Sequence, residues 1–376
     1  MIVLNKTGKG IRSGIRAFLS AYKTEVDSYS VQAFSKGRMR INYTAFIEIF
    51  RTSVEHFYAE AVPTLFKGYR VSAIDGSRLN LPFNEESVKE FGIQNGSGDQ
   101  IQALSSGLYD VLNEIIIDAA IAPFSASEKE LAMKHLDCLE NIPHNKELII
   151  FDRGYPSAEL IGCIEEKGFK YLMRCSSTFI SGIKSKAVSD DCIVEHKFKN
   201  SKEKFKLRYI KLVLSSSTEE YLITNIFDNK FTSEDFKRLY HLRWEIETNY
   251  DDIKNKFELE NFSGTSPLAV KQDFFATMFL RNMTSMMIFE NKEEIDRLYN
   301  TGKNKYRYKA NVNNVVSLLK TDLIQMLFTN SARKRRNLLQ KIYHEILKAV
   351  IPERPNRSFA RKRKHLSSKF SQNQRN

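Results

Sequence analysis

The sequence predicts an α/β protein: a mixed sheet with flanking helices, interrupted by a β-rich insertion and set between a helical N-terminal module and a basic helical C-terminal region. Three observations lead there. Apolar residues recur at helical intervals over Ile11–Val26 and Tyr43–Ala61, and the period then changes to that of strands after Tyr69. Two short apolar runs, Val71–Ile74 and Leu148–Phe151, run into Asp75-Gly76 and Asp152-Arg153-Gly154, the form of a buried strand that ends in a turn. The charge is also unevenly spread. Residues 331–376 carry 14 Lys/Arg against 2 Asp/Glu and residues 1–70 carry 11 against 5, so a net charge of +13 leaves the middle of the chain slightly acidic.

Taken in order, residues 1–65 read as a helical module that either contacts DNA or caps the body of the protein. Tyr69–Ile74, Ile101–Leu112 and Glu114–Phe124 read as strands, the last two forming a hairpin, with the polar stretch Asn84–Asp99 as a loop. Ser127-Glu-Lys-Glu130 is a capping box that opens a helix to about Glu140. Glu147–Phe151 returns as a strand, Pro156 begins a helix to about Lys167, and Phe169–Arg174 is the next strand. Asp152 and Glu247 are 95 residues apart, more than one helix and one strand require. Alternation over Ile193–Phe198, Phe205–Leu214 and Tyr221–Ile226 assigns the excess to a β-rich insertion. The resulting modules are 1–65, 66–175, 176–230, 231–290 and 291–376.

Several classes are disfavoured. The four cysteines, at 138, 163, 175 and 192, show no Cys-x2-Cys spacing and do not suggest structural zinc. No 18-residue apolar run exists, and the first residues lack an apolar signal core, so no membrane partner and a cytoplasmic setting are expected.

The densest chemistry lies in Tyr240-His-Leu-Arg243-Trp-Glu-Ile-Glu247, with Lys254 seven residues further on. On one continuous helix Tyr240, Arg243, Glu247 and Lys254 fall within an arc of about 60°. That face carries a phenol, a guanidinium, a carboxylate and an ammonium: an oxygen ligand for a metal beside groups that grip phosphate. An i,i+4 pair such as Arg243–Glu247 also decorates many solvated helices. A carboxylate at the end of each of two strands, Asp75 and Asp152, tips the balance, because ligand sites in α/β sheets gather at such ends. Asp251 is a candidate for a supporting role, Arg153 and Tyr155 are secondary candidates, and Gln272 and Asn282 are candidate phosphate contacts.

The pattern Tyr-x2-Arg-x3-Glu-x6-Lys, with Asp75 in Ala-Ile-Asp-Gly-Ser, Asp152 in Phe-Asp-Arg-Gly-Tyr and the Glu260-Asn-Phe-Ser-Gly264 segment, resembles the IS4 family of bacterial DDE transposases over about residues 70–285. The resemblance implies an RNase H-like core and metal-dependent cleavage at insertion-sequence ends, followed by transfer of the 3′-hydroxyl into target DNA. Asp75, Asp152 and Glu247 would bind two Mg²⁺ ions, with Mn²⁺ as a substitute, and Tyr240, Arg243 and Lys254 would contact DNA. Implied partners are double-stranded DNA, both terminal inverted repeats and target, and a second copy of the chain in a DNA-dependent homodimer. In some members an aromatic residue of the insertion stacks on a flipped base. The only tryptophan here, Trp244, lies outside the insertion, so that role does not transfer. The alternatives are a transposase-derived DNA-binding protein without catalysis and a nuclease on the same fold.

Overall fold

A computed structural model describes residues 11–22, 29–94, 100–143, 146–199, 201–213 and 219–354. Two compact units emerge, one of Glu55–Ser77 with Leu104–Tyr250, the other of Met1–Val54, Arg78–Ala103 and Asp251–Asn376. Among the described residues no helix is long and apolar enough to cross a membrane.

The first described helices are α1 (Ile11–Tyr22), α2 (Val31–Arg38) and α3 (Thr44–Glu60); α1 and α3 fall on the two spans expected from periodicity, of which residues 23–26 lie outside the described residues, and α2 is an additional helix. Strand β1 (Arg70–Asn80) follows, then helix α4 (Glu85–Phe91) and the short strand β2 (Ile93–Gln94). Helix α4 corrects the loop expected over Asn84–Asp99, of which residues 95–99 lie outside the described residues. The polar residue that suggested a loop is a helix cap: the Asn84 side chain accepts hydrogen bonds from the backbone N–H of Glu86 at 2.9 Å and of Ser87 at 3.3 Å. Strands β3 (Gln100–Asp110) and β4 (Ile115–Pro123) come next, and then α5 (Glu128–Leu139), whose Ser127 cap accepts from Glu130 N–H.

The alternation of strand and helix then proceeds as the apolar runs require: β5 (Glu147–Phe151), α6 (Ala158–Glu166) and β6 (Lys170–Arg174). All five residues of β5 are buried. It pairs in parallel with β1, Arg70↔Glu147 through Ala73↔Ile150, and with β6, so both edges are bonded, and its unbroken burial shows that both faces are covered, which leaves no place for polar alternation. Helix α7 (Ser177–Lys184) leads into β7 (Asp191–His196), β8 (Phe205–Val213) and β9 (Glu219–Thr224). β9 pairs antiparallel with β6, Leu172↔Thr224 through Arg174↔Leu222, so these strands lengthen the central sheet. Among the described residues the sheet has nine strands and runs β2-β3-β1-β5-β6-β9-β8-β7, with β4 on β3.

Two helices follow, α8 (Ser233–His241) and α9 (Trp244–Asn255). The single helix expected across Tyr240–Lys254 is thus two. At the junction the N–H groups of Arg243, Glu245 and Ile246 reach back only three residues, to the carbonyls of Tyr240, Leu242 and Arg243, a tighter turn that interrupts the α-helical pattern.

The other unit is organised by α10 (Pro267–Tyr299), 33 residues capped by Ser266 with Pro267 at its first turn. Its apolar side meets Val315 and Val316 of α11 (Val312–Leu318) and Ile342 and Ile346 of α13 (Ala332–Lys348) in one core cluster. Between them lie a π-helical turn, Leu319–Leu323, and α12 (Ile324–Phe328), and the short strands β10 (Tyr308–Ala310) and β11 (Val350–Pro352) close the described chain. The buried Arg38 guanidinium ties α2 to α10 through Asp273 Oδ1 and the Ala269 carbonyl, both at 2.7 Å. The basic run Arg333–Arg336 is exposed on the first turn of α13, and Arg361–Lys364 lies outside the described residues.

Candidate active site

Asp75 and Asp152 emerge side by side because the strands that carry them are parallel neighbours. The pairing of β1 with β5 ends at Ala73↔Ile150, and Asp152 directly follows the last residue of β5. β1 itself continues to Asn80, so Asp75 marks the end of that pairing and not the end of its strand, as the sequence had suggested. The neighbour, the extended edge and its hydrogen bonds are tertiary facts that an Asp-Gly dipeptide does not reveal.

Glu247 and Glu245 sit in the first turn of α9, where carboxylates suit the positive end of the helix dipole. Arg243, at the α8–α9 junction and only 4% exposed, gathers the acids. Its Nη2 is 2.9 Å from Glu247 Oε1 and its Nη1 is 3.9 Å from Asp75 Oδ2. Its Nε is buried without a hydrogen-bond partner. Burial opposes the guanidinium charge, but Tyr240, Asp152 and Glu247 more than restore it. Tyr240, from the last turn of α8, donates its hydroxyl to Asp152 Oδ1 at 3.1 Å. Burial and the Asp152 charge both hold this phenol protonated. Asp75 Oδ1 accepts from its neighbouring Gly76 N–H at 2.9 Å. Burial raises Asp75 to about 6; Gly76 and Arg243 oppose the rise, while Glu128 and Glu247 add to it.

Five of the six residues singled out in sequence therefore belong to one unit and interact as a group. Lys254, in the last turn of α9, falls in the other unit, where its Nζ donates to the Arg78 carbonyl at 2.8 Å and burial lowers its pKa. Gln272 and Asn282, expected as phosphate contacts, are instead fully buried, and Gln272 serves Arg38 and the Ile41 carbonyl. Arg153 is exposed and Tyr155 buried.

Two site residues escaped the sequence reading. Glu128, the first residue of α5, lies against Gly76: a Cβ built there would meet its carboxylate oxygen at 3.0 Å. No sequence signal marks it, since its position reads only as helix capping. Tyr250 donates its hydroxyl to the Asp75 carbonyl at 3.0 Å and lies 3.4 Å from that of Ser105. It does leave a signal, because three residues beyond Glu247 it shares the same helical face. A cavity of about 550 Å³ adjoins the group, lined by Tyr240, Arg243, Trp244, Arg174, Arg238 and Phe66 among others.

The donor set is chemically suited to a divalent cation: carboxylate oxygens, mutually repelling, facing a single guanidinium. As they stand, no three His, Cys, Asp or Glu among the described residues are close enough to hold an ion, with Arg243 standing between Asp75 and Glu247. The set fits a cation in kind, and the carboxylates have to draw together to embrace one.

Over residues 66–283 the chain matches the sequence family described as the transposase DDE domain. The protein belongs to that family. As a DDE transposase it acts on DNA, catalysing divalent-metal-dependent cleavage and strand transfer, and its mixed sheet with flanking helices is the RNase H-like core of such enzymes. Among solved structures it is similar to the piggyBac transposase in a synaptic complex with hairpin DNA. The identity is 10% and the TM-score 0.48, over 95% of this transposase and 75% of that chain. No curated protein sequence matches it.

Proposed function

We propose that Asp75, Asp152 and Glu247 are the catalytic acids of an insertion-sequence transposase of the IS4 type, and that they hold two Mg²⁺ ions, replaceable by Mn²⁺. The observation that carries this reading is the convergence of the three acids on Arg243 and Tyr240 from β1, β5 and α9. Bound there, the ions supply activation of the attacking oxygen and charge neutralisation at the scissile phosphate.

The protein's own groups do the rest. Tyr240 fixes the rotamer of Asp152 through its hydroxyl. Arg243, planar and permanently charged, is suited to a phosphate once it turns from Glu247 and Asp75, while Lys254 supplies a point charge. Asp75, held partly protonated near neutrality by burial, must give up its proton before it serves as a ligand. The remaining parts follow the modular reading: 1–65 engages the terminal repeats, 66–175 with 231–290 forms the catalytic body, 176–230 is its β-rich insertion, and 291–376 grips DNA through its basic residues. The enzyme works in the cytoplasm, on terminal inverted repeats and target DNA, as a homodimer assembled on DNA.

The test is Glu247→Gln with end-bearing duplexes and Mn²⁺. Cleavage disappears while binding to the same duplex stays within about twofold. A variant that still nicks overturns the assignment. Joining of a pre-cleaved 3′-hydroxyl end to a plasmid separates transposition from plain nuclease action, and gel filtration with and without DNA checks the dimer.

A further inference from the structure

We infer that Tyr250 is a positioning residue that sets Glu247 against Asp75, and that Gly107 exists to let it do so. The inference rests on the assignment of these two acids. Tyr250 and Glu247 stand three residues apart on α9 and so share a face. From that face the Tyr250 hydroxyl donates to the backbone carbonyl of Asp75 on β1, 3.0 Å away, with that of Ser105 on β3 at 3.4 Å, and so bonds the helix to β1. The bond is made to the residue that carries the first acid, by the helix that carries the last one. Any slide or rotation of α9 that moved Glu247 relative to Asp75 would break it.

Gly107 supports this from below. A glycine inside an 11-residue strand loses side-chain packing and often marks a close approach of another group. Here a Cβ would stand 3.2 Å from the Tyr250 hydroxyl oxygen and 3.8 Å from the ring carbon that bears it. The glycine is the space into which the phenol descends. Burial keeps that phenol protonated, so it remains a donor throughout the working pH range.

The separation matters because, with the backbones of α9 and β1 fixed to each other, Asp75 and Glu247 can close on a cation by side-chain rotation alone. A ligand carboxylate on a loosely held helix spends its time at unproductive distances, and outer partners of metal ligands typically contribute about 10- to 100-fold in metal affinity or activity.

Tyr250→Phe keeps the ring and removes the bond. We expect DNA-end binding without metal to be unchanged, cleavage to fall about 10- to 100-fold, and the Mn²⁺ concentration that half-saturates the thermal shift to rise about 10-fold. Gly107→Ala retains the hydroxyl but presses on it, and should move the Mn²⁺ midpoint in the same direction. In the double variant the new methyl meets no hydroxyl, so the two effects should be less than additive. Cleavage and Mn²⁺ midpoint both within twofold of the parent in Tyr250→Phe would overturn the inference, as would strict additivity of the pair. If Tyr250→Phe fails to fold, Gly107→Ala decides by the same midpoint. An active Glu247→Gln would instead remove the assignment of the acids, and an inactive Glu247→Gln beside a parent-like Tyr250→Phe would remove only the role of Tyr250.

Discussion

The same two parallel strands, β1 and β5, end in opposite electrostatic states. At their beginning Arg70 and Glu147 are register partners, fully buried, joined by two hydrogen bonds of 2.6 and 3.1 Å. Asp110 nearby accepts from the Tyr58 hydroxyl at 2.7 Å, from Asn113 Nδ2 at 2.7 Å, and from two backbone N–H groups at 3.1 Å, and Arg70 stacks on Tyr58. At their far end one guanidinium, Arg243, faces Asp75, Glu247 and Asp152, with Glu128 close to Gly76. Each arginine leaves one buried nitrogen unpaired, Nη1 of Arg70 and Nε of Arg243, so the contrast lies in the carboxylates. At one end almost every carboxylate oxygen has a donor, which suits a structural pin. At the other Asp75 and Glu247 share the Arg243 guanidinium and Asp152 takes its hydrogen bond from a phenol, a carboxylate group of the kind that suits a cation.

The comparison breaks most decisively through chemistry. Asp152→Asn should reduce cleavage by about four orders of magnitude with little change in melting temperature, as expected for one member of a unit that acts together. A drop in melting temperature without loss of cleavage would reverse the roles of the two ends. Arg70→Met should do the opposite. Leaving Glu147 buried and unpaired destabilises by about 3–5 kcal/mol, read by chemical denaturation, while the protein that remains folded still responds to Mn²⁺. A loss under about 1 kcal/mol would show that the pin is not one.

Asp75 sharpens the contrast through pH. Burial raises its folded-state value to about 6 from an ordinary 3.8, so between these values the folded protein holds a proton that the unfolded chain has released. Stability of the metal-free protein therefore falls as pH rises from about 4 to about 6, by at most about 3 kcal/mol. Asp75→Asn should remove that slope and raise metal-free stability at pH 7. An identical slope in the variant would mean the carboxylate is not the strained one. The smallest effect concerns neither end. Arg333, Lys334, Arg335 and Arg336 crowd the start of α13, where cations oppose the helix dipole and the first turn carries no acid. Their replacement by Gln should lower the slope of log binding constant against log salt by about one for each phosphate that the variant no longer neutralises, without changing Mn²⁺ response.

Strands were legible in the sequence wherever two faces are buried. The unbroken apolar run Leu148–Phe151, short, β-branched and followed by Asp-Arg-Gly, reads as a buried strand, and β5 forms as expected. Helix ends with a side-chain cap were legible too, as at Ser127, whereas Asn84 was misread because the same residue type initiates turns and caps helices. The break at Leu242–Arg243 was invisible, because nothing in Tyr-His-Leu-Arg-Trp is a helix breaker and the i to i−3 bonds there follow no local sequence signal. Glu128 was hidden for a different reason. Its meeting with Gly76 joins residues 52 apart, and no local pattern records it.

By itself the sequence determined which residue types carry the chemistry, their order along the chain, and the fold class, because side-chain charge and the period of burial are local properties. The tertiary structure alone decided that Asp75 and Asp152 are neighbours, that Arg243 stands between two acids, and that Tyr250 descends onto Gly107. Strand order, helix placement and the space left by a missing Cβ depend on contacts between segments far apart in sequence, and these are settled only when the core has closed.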